Sequence, residues 1–139
     1  MKKILWIEDE GTTSLLEYKR PLVRAGYSVD IANTITDGIH LLTESIYDVL
    51  IFDLIIQCGD SFKTKEEYPG LEFIRRIKNN QISNIATDYD TSYFIVFSVV
   101  TDKKIMDDLN SLGVHEIVNK SMNRISDLKK VVEKIRKHL

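Results

Sequence analysis

The sequence predicts an α/β fold in which a five-stranded parallel sheet is doubly wound, with helices on both faces. Three observations predict it. Short apolar runs recur along the chain at Ile4–Ile7, Val29–Ala32, Val49–Phe52, Tyr93–Phe97 and Ile117–Val118. Between them lie stretches whose apolar residues fall at helical spacing, and strands alternating with helices are the pattern of a parallel sheet. Finally, Val49-Leu50-Ile51-Phe52 is apolar at every position, as a strand covered on both faces must be.

The elements follow in order. Ile4 to Ile7 is closed by Glu8-Asp9-Glu10-Gly11 and reads as the first strand. Thr12 or Thr13 is expected to cap a helix running to about Ala25, with Leu15, Leu22 and Val23 facing inward. Pro21 falls inside that helix. An interior proline costs roughly 3 kcal/mol, so a kink or an interruption is expected there. Gly26 is placed to end the helix. After the second strand, Thr34 caps a helix carrying Ile35, Ile39, Leu42 and Ile46. The third strand ends at Asp53, and residues Gln57 to Pro69 are polar and read as a loop. Leu71, Ile74 and Ile77 mark the third helix, and Asn79 to Ser92 is again mostly polar. The fourth strand ends at Ser98. Asp102 caps a helix with Ile105, Leu109 and Leu112 inward, stopped by Gly113. The short fifth strand leads to Asn119-Lys120, and Ile125, Leu128, Val132 and Ile135 make the closing helix. The basic run from Lys129 onward reads as that helix's solvated face.

At 139 residues the chain has the length of one domain, residues 1–139, without an internal repeat. Apolar residues at 43% and charged residues at 29% are globular proportions. Nineteen basic side chains against 21 acidic ones give a net charge of −2, which argues against nucleic-acid binding through bulk charge. The single cysteine, Cys58, excludes an internal disulfide; it falls in the polar loop, where exposure is expected. No apolar run approaches the ~20 residues that span a bilayer, and the acids at 8–10 break any leader-like apolar segment. A reduced cytoplasmic setting is expected, with no membrane association and no direct nucleic-acid partner. His40, His115 and His138 are too scattered in sequence to point to a metal site or a catalytic dyad.

In open α/β sheets, ligands bind beyond the carboxyl ends of the strands. This sequence puts Glu8, Asp9 and Glu10 after strand one, Asp53 after strand three, Ser98 after strand four and Lys120 after strand five. Taken singly, each has an ordinary explanation: acids cap the next helix, a serine turns a loop, a lysine sits in water. Together they deliver carboxylates, a hydroxyl and an ammonium to one edge. Crowded carboxylates call for a hard cation such as Mg²⁺. An ammonium and a hydroxyl donor suit phosphoryl oxygens, and a carboxylate can act as a nucleophile. The set fits phosphoryl chemistry.

With these residues in place, the chain resembles the receiver domain of two-component response regulators, a CheY-like, flavodoxin-like fold. Ile4-Leu5-Trp6-Ile7-Glu8-Asp9-Glu10 resembles the family's first strand and acidic pair. Asp48-Val49-Leu50-Ile51-Phe52-Asp53 resembles the segment ending at the phospho-accepting aspartate, and Pro69-Gly70-Leu71-Glu72 the start of the third helix. Phe94-Ile95-Val96-Phe97-Ser98 resembles the strand with the hydroxyl switch residue, and Gly113 to Lys120 the strand with the essential lysine. The resemblance implies that Asp53 accepts a phosphoryl group from a sensor histidine kinase or a phosphotransfer protein. It implies that Glu8, Asp9, Asp53 and the Ile55 backbone carbonyl hold Mg²⁺, with Glu8 acting through water, and that Ser98 and Lys120 engage the phosphoryl oxygens. A downstream protein, not identified by the sequence, would read the change across helix four, strand five and helix five. No activity is implied beyond self-phosphorylation and dephosphorylation, so the chain is not expected to be an enzyme toward other substrates.

Several positions depart from the family pattern. Glu8 stands where aspartate is commoner, Ser98 where threonine is commoner, and Ile117 where a switching aromatic is frequent. Ser121 follows Lys120 where the family usually has a proline after a cis bond. Before a residue other than proline, cis costs roughly 3 kcal/mol, so a trans or a strained bond is expected. The loop at about 56–69 and the stretch from Asn79 to Tyr93 are longer than usual. Apolar Ile55 and Val100 occupy the positions that tune hydrolysis, which implies a long-lived phosphoryl group. The end of the sequence after the fifth helix leads to the expectation of a stand-alone receiver, or one excised from a larger protein. The alternative reading is a pseudo-receiver, a phosphorylation-independent interaction module. A flavodoxin-like cofactor binder fits less well, because acids rather than a glycine-rich phosphate loop follow strand one.

Overall fold

The computed structural model describes residues 2–8, 19–89, 92–121 and 123–138, and all of these but Arg124 with their side chains. Five strands form one sheet: β1 (Lys3–Ile7), β2 (Ser28–Ala32), β3 (Val49–Phe52), β4 (Tyr93–Ser98) and β5 (Glu116–Asn119). The helices are α1, described over residues 19–24, α2 (Ile35–Glu44), α3 (Pro69–Lys78), α4 (Lys103–Ser111) and α5 (Arg124–His138). All strand pairs are parallel, in the order β2-β1-β3-β4-β5. The order reverses between β1 and β3, the point beyond whose carboxyl ends ligands bind in open α/β sheets.

Alternation along the central strands divides the core in two. Leu5, Ile7, Leu50, Phe52, Phe94 and Val96 face α2, α3 and α4, where Ile35, Leu42, Leu71, Phe73, Ile74, Ile77, Ile105 and Leu109 are buried. Ile4, Trp6, Val49, Ile51, Tyr93, Ile95 and Phe97 face the other way, against Leu22 of α1 and Leu128, Val131 and Ile135 of α5. This explains why β3 and β4 carry no polar face. The predicted caps form. The Thr34 hydroxyl accepts from the Asp37 amide, and the Asp102 carboxylate accepts from the Lys104 and Ile105 amides. Gly26 ends α1 at φ +95°, the left-handed conformation that favours glycine. Pro21 lies within the helical residues 19–24. Thr12, Thr13, Leu15 and the turn in which a kink is expected lie outside the described residues.

Three residues expected to face inward do not. Val23 is 48% exposed, Ile46 58% and Ile125 71%. Val23 follows Leu22, which is fully buried, and one helical step turns a side chain about 100° away. α2 ends at Glu44, capped by Ser45 in extended conformation, so Ile46 is past the helix. Ile125 sits in the first turn of α5, ahead of the buried stripe of Leu128, Val131 and Ile135; Val131 rather than Val132 is fully buried.

The two polar connections are anchored. In the 56–69 segment, Gln57 makes a parallel bridge with Thr34. The amides of Ile35 and Thr36 donate to the Gln57 and Cys58 carbonyls, at 3.0 Å each. The loop thereby satisfies N–H groups that the first turn of α2 leaves without helical partners. Phe62 is 3% exposed, edge-on to Phe73 at 5.7 Å, with the Arg76 guanidinium 4.4 Å above its ring. Cys58, expected to be exposed, is half-buried against the core, because the loop folds down onto α2. In the 79–92 segment Tyr89 is fully buried, and its hydroxyl accepts the Tyr47 amide at 2.9 Å. His115 and His138, far apart in sequence, both meet the Tyr93 ring, at 5.0 and 3.8 Å. His40 instead pairs with Glu44 on α2.

Candidate functional site

Backbone bonds one residue past each strand set the site. The Glu8 amide donates to the Ala32 carbonyl (2.9 Å), Asp53 to Ile7 (3.0 Å) and Lys120 to Ser98 (2.9 Å). Glu8, Asp53 and Lys120 therefore leave the sheet at fixed points on one edge. Their side chains converge there. The Lys120 ammonium lies 2.7 Å from Asp53 Oδ2 and 2.6 Å from Glu8 Oε1. Asp53 Oδ1 accepts from the Ser98 hydroxyl at 3.0 Å and from the Ile55 amide at 3.1 Å. All four side chains are buried: Glu8 is 0% exposed, Ser98 2%, Asp53 6% and Lys120 6%. The Lys120 ammonium also lies 5.3 Å from the centre of the Phe97 ring.

Helix α3 completes the wall beneath Asp53. Pro69 and Gly70 open the helix, and the Gly70 amide donates to the Leu54 carbonyl at 3.0 Å. A Cβ on Gly70 would lie 2.7 Å from the Leu54 Cα and closer still to the Asp53 carbonyl oxygen. The backbone after the aspartate thus passes where only glycine fits.

Charge decides what the cup suits. Burial works against the Lys120 charge, yet the Glu8 carboxylate and the hydrogen bonds to Asp53 and Glu8 hold its pKa well above the ordinary lysine range. Two buried carboxylates against one ammonium still leave the described cup net negative. That deficit, met by oxygen donors, fits a hard dication such as Mg²⁺. Glu8 and Asp53 are the described carboxylates that would hold it. Asp9, the third expected, lies outside the described residues, and among those residues no group of three His, Cys, Asp or Glu side chains gathers around a metal position. For Ile55 the structure shows a role in its amide, which donates to Asp53.

Of the predicted set, the side chains of Glu8, Asp53, Ser98 and Lys120 meet in one cup, and Ile55 touches it through its amide. Ser98 does not wait at a distance: it already bonds the acceptor carboxylate. Ile117, in the place of a switching aromatic, is half-buried against the α4 side of the core. The Lys120–Ser121 bond is trans, as one of the two expected outcomes. Sequence reading missed the partner of Ser121. The Ser121 amide donates to Asp127 Oδ2 at 2.7 Å, and its hydroxyl lies 2.9 Å from both Asp127 oxygens. A serine and an aspartate six residues apart at a helix start were the available signal. Two apolar side chains close in sequence to the cup are exposed: Ile55, two residues past Asp53, at 48% and Val99, next to Ser98, at 51%.

The sheet order and full-length likeness define the fold of CheY-like response regulator receiver domains. Similar solved structures include the chemotaxis protein CheY4 of Vibrio cholerae, 16% identical with TM-score 0.73, covering 100% of this chain and 99% of that one. Another is the CheY-like receiver domain protein of Methanospirillum hungatei, 20% identical with TM-score 0.70, covering 99% and 95%. The response regulator TrrA of Thermotoga maritima, solved in complex with Mg²⁺-BeF, is 27% identical with TM-score 0.69 and is covered end to end, 100% of each chain. No protein-family model and no curated protein matches this sequence. No helix among the described residues is long and apolar enough to cross a membrane.

Proposed function

We propose that this chain is a phospho-accepting receiver of a two-component or phosphorelay system, with Asp53 as acceptor. The observation that carries the reading is the buried Lys120 ammonium held 2.7 Å from Asp53, with the Ser98 hydroxyl on the other carboxylate oxygen. An Asp53 oxygen attacks the phosphorus of a phosphohistidine on a histidine kinase or phosphotransfer protein. The P–N bond breaks, its electron pair stays on the donor imidazole, and an aspartyl phosphate forms. Lys120 offsets the charge on the phosphoryl oxygens. Asp53, Asp9, the Ile55 carbonyl and, through water, Glu8 would hold Mg²⁺, which would supply further charge neutralisation there. Besides this transfer the chain promotes only loss of the label by hydrolysis, in which water attacks phosphorus, the bond to the Asp53 oxygen breaks, and inorganic phosphate and the free carboxylate result.

The product adds negative charge and strong acceptor oxygens beside Ser98. The hydroxyl moves from the carboxylate to a phosphoryl oxygen and draws the Val99–Val100 backbone with it. That loop leads into α4, so the change reaches α4, β5 and α5, where a downstream protein reads it. Ile117 turns no aromatic ring here, and the signal passes through loop and helix shifts.

The test is incubation with Mg²⁺ and a small acyl phosphate, followed by intact-mass measurement. The expected result is a gain of one phosphoryl group, absent in Asp53→Asn. No gain at saturating donor would favour the pseudo-receiver reading.

A further inference from the structure

Resting on the receiver reading, we infer that Asp127 and Ser121 are positioning residues for Lys120. They take the place that the family gives to a proline. Asp127 lies in the first turn of α5 and is 1% exposed. Its carboxylate accepts the Ser121 amide at 2.7 Å and the Ser121 hydroxyl at 2.9 Å. Short bonds to a buried carboxylate are charge-assisted and stronger than neutral ones.

The Ser121 amide belongs to the peptide group whose carbonyl is that of Lys120. Asp127 therefore holds the peptide plane on the far side of the Lys120 Cα, while the Ser98 carbonyl holds the Lys120 amide at 2.9 Å on the near side. With both flanking peptides fixed, the Lys120 Cα–Cβ bond has one direction, toward Glu8 and Asp53. Proline has no amide to donate, so this device depends on the residue that follows Lys120 being other than proline. The turn is tied further. The Asn123 amide donates to the Ser121 hydroxyl at 3.1 Å, and the Ser126 amide donates to the Asn123 side chain at 3.1 Å.

The experiment uses the full chain and two readouts. One is the rate of labelling by acyl phosphate at saturating donor and Mg²⁺, alongside Mg²⁺ affinity by calorimetry. The other is acetylation of Lys120 by acetic anhydride, read by peptide mass and independent of phosphorylation. Asp127→Ala is expected to slow labelling roughly tenfold, since loss of orientation alone costs that much or more. Mg²⁺ affinity should not fall, since Glu8 and Asp53 lose a competing cation and stay in place, and Lys120 should become open to acetylation. Adding Ser121→Pro to Asp127→Ala should restore both rate and protection, because the ring rigidifies the turn without an acceptor. A purely structural Asp127 would lower thermal stability and leave the rate of the folded protein, and Lys120 protection, unchanged. That outcome overturns the inference. Should Asp127→Ala not fold, Asp127→Asn serves: it keeps one acceptor, so an intermediate slowing is expected, and wild-type rate and protection would refute. An unlabelled wild type whose Lys120 is nevertheless exposed by Asp127→Ala would refute the receiver reading and leave the positioning role standing.

Discussion

Replacing Lys120 by methionine keeps the length and apolar stem of the side chain and removes its charge. In the native protein the Lys120 side chain is 2% exposed, facing Glu8 at 0% and Asp53 at 8%. The variant leaves two carboxylates in that space without the cation that both contact, at 2.6 and 2.7 Å. Removing one partner of a buried pair costs roughly 3–5 kcal/mol, because the remaining charge is neither solvated nor compensated. Here two charges remain, so the upper part of that range is expected at neutral pH. The sign with pH follows. Crowded buried carboxylates prefer to share a proton, so the folded variant binds more protons than its unfolded chain, and its deficit shrinks as pH falls. The wild type behaves otherwise. Its lysine is raised above the ordinary value, so the ion-pair contribution is present throughout the neutral range. On the alkaline side it is lost as pH climbs through that raised value. Mg²⁺ should recover part of the loss, by about 2.7 kcal/mol at a hundredfold excess over its dissociation constant. Urea unfolding of both proteins, at two pH values and with and without Mg²⁺, reads all of this. A loss under about 1 kcal/mol at neutral pH, independent of pH and Mg²⁺, would refute the account of the cup.

Gly70→Ala drives a methyl group into the backbone of Asp53 and Leu54; about 1–3 kcal/mol of stability should be lost, and labelling of Asp53 should slow even where the protein remains folded. Tyr89→Phe leaves the buried Tyr47 amide without the hydroxyl that accepts it, and chemical denaturation should show a loss of about 2 kcal/mol; no loss would mean that this amide finds another acceptor. The phosphoryl group should be long-lived in the isolated protein, since Ile55 and Val100 offer no side chain to orient a water. Ile55→Gln is expected to shorten the lifetime, and rapid decay of the wild-type label contradicts the reading.

Much of the fold was legible because its signals are local. A continuous apolar run marks β3 wherever it lies, and Thr34 and Asp102 announce their helices by chemistry that reaches three residues onward. The site was legible for a related reason. In a parallel sheet every strand ends at the same edge, so naming the residues after Ile7, Phe52, Phe97 and Asn119 nearly names the cup. What stayed hidden involves partners far apart in number. Tyr89 reaches Tyr47 across 42 positions, and Cys58 is covered because residues 57–58 dock on α2, while neither polar stretch has a period to betray its buried aromatic. Asp127 is an acid in a first turn that no local pattern singles out, and only the bond to Ser121 distinguishes it.

By itself, then, the order of residues determined the strands, their sequence in the chain, and which chemical groups stand at their ends, since hydrophobic periodicity and capping act over a few residues. Tertiary structure alone decided how those groups divide their bonds: Lys120 between two acids, Ser98 on Asp53, Asp127 on the peptide after Lys120. Such sharing depends on distances of a few tenths of an ångström, which packing across the whole sheet sets.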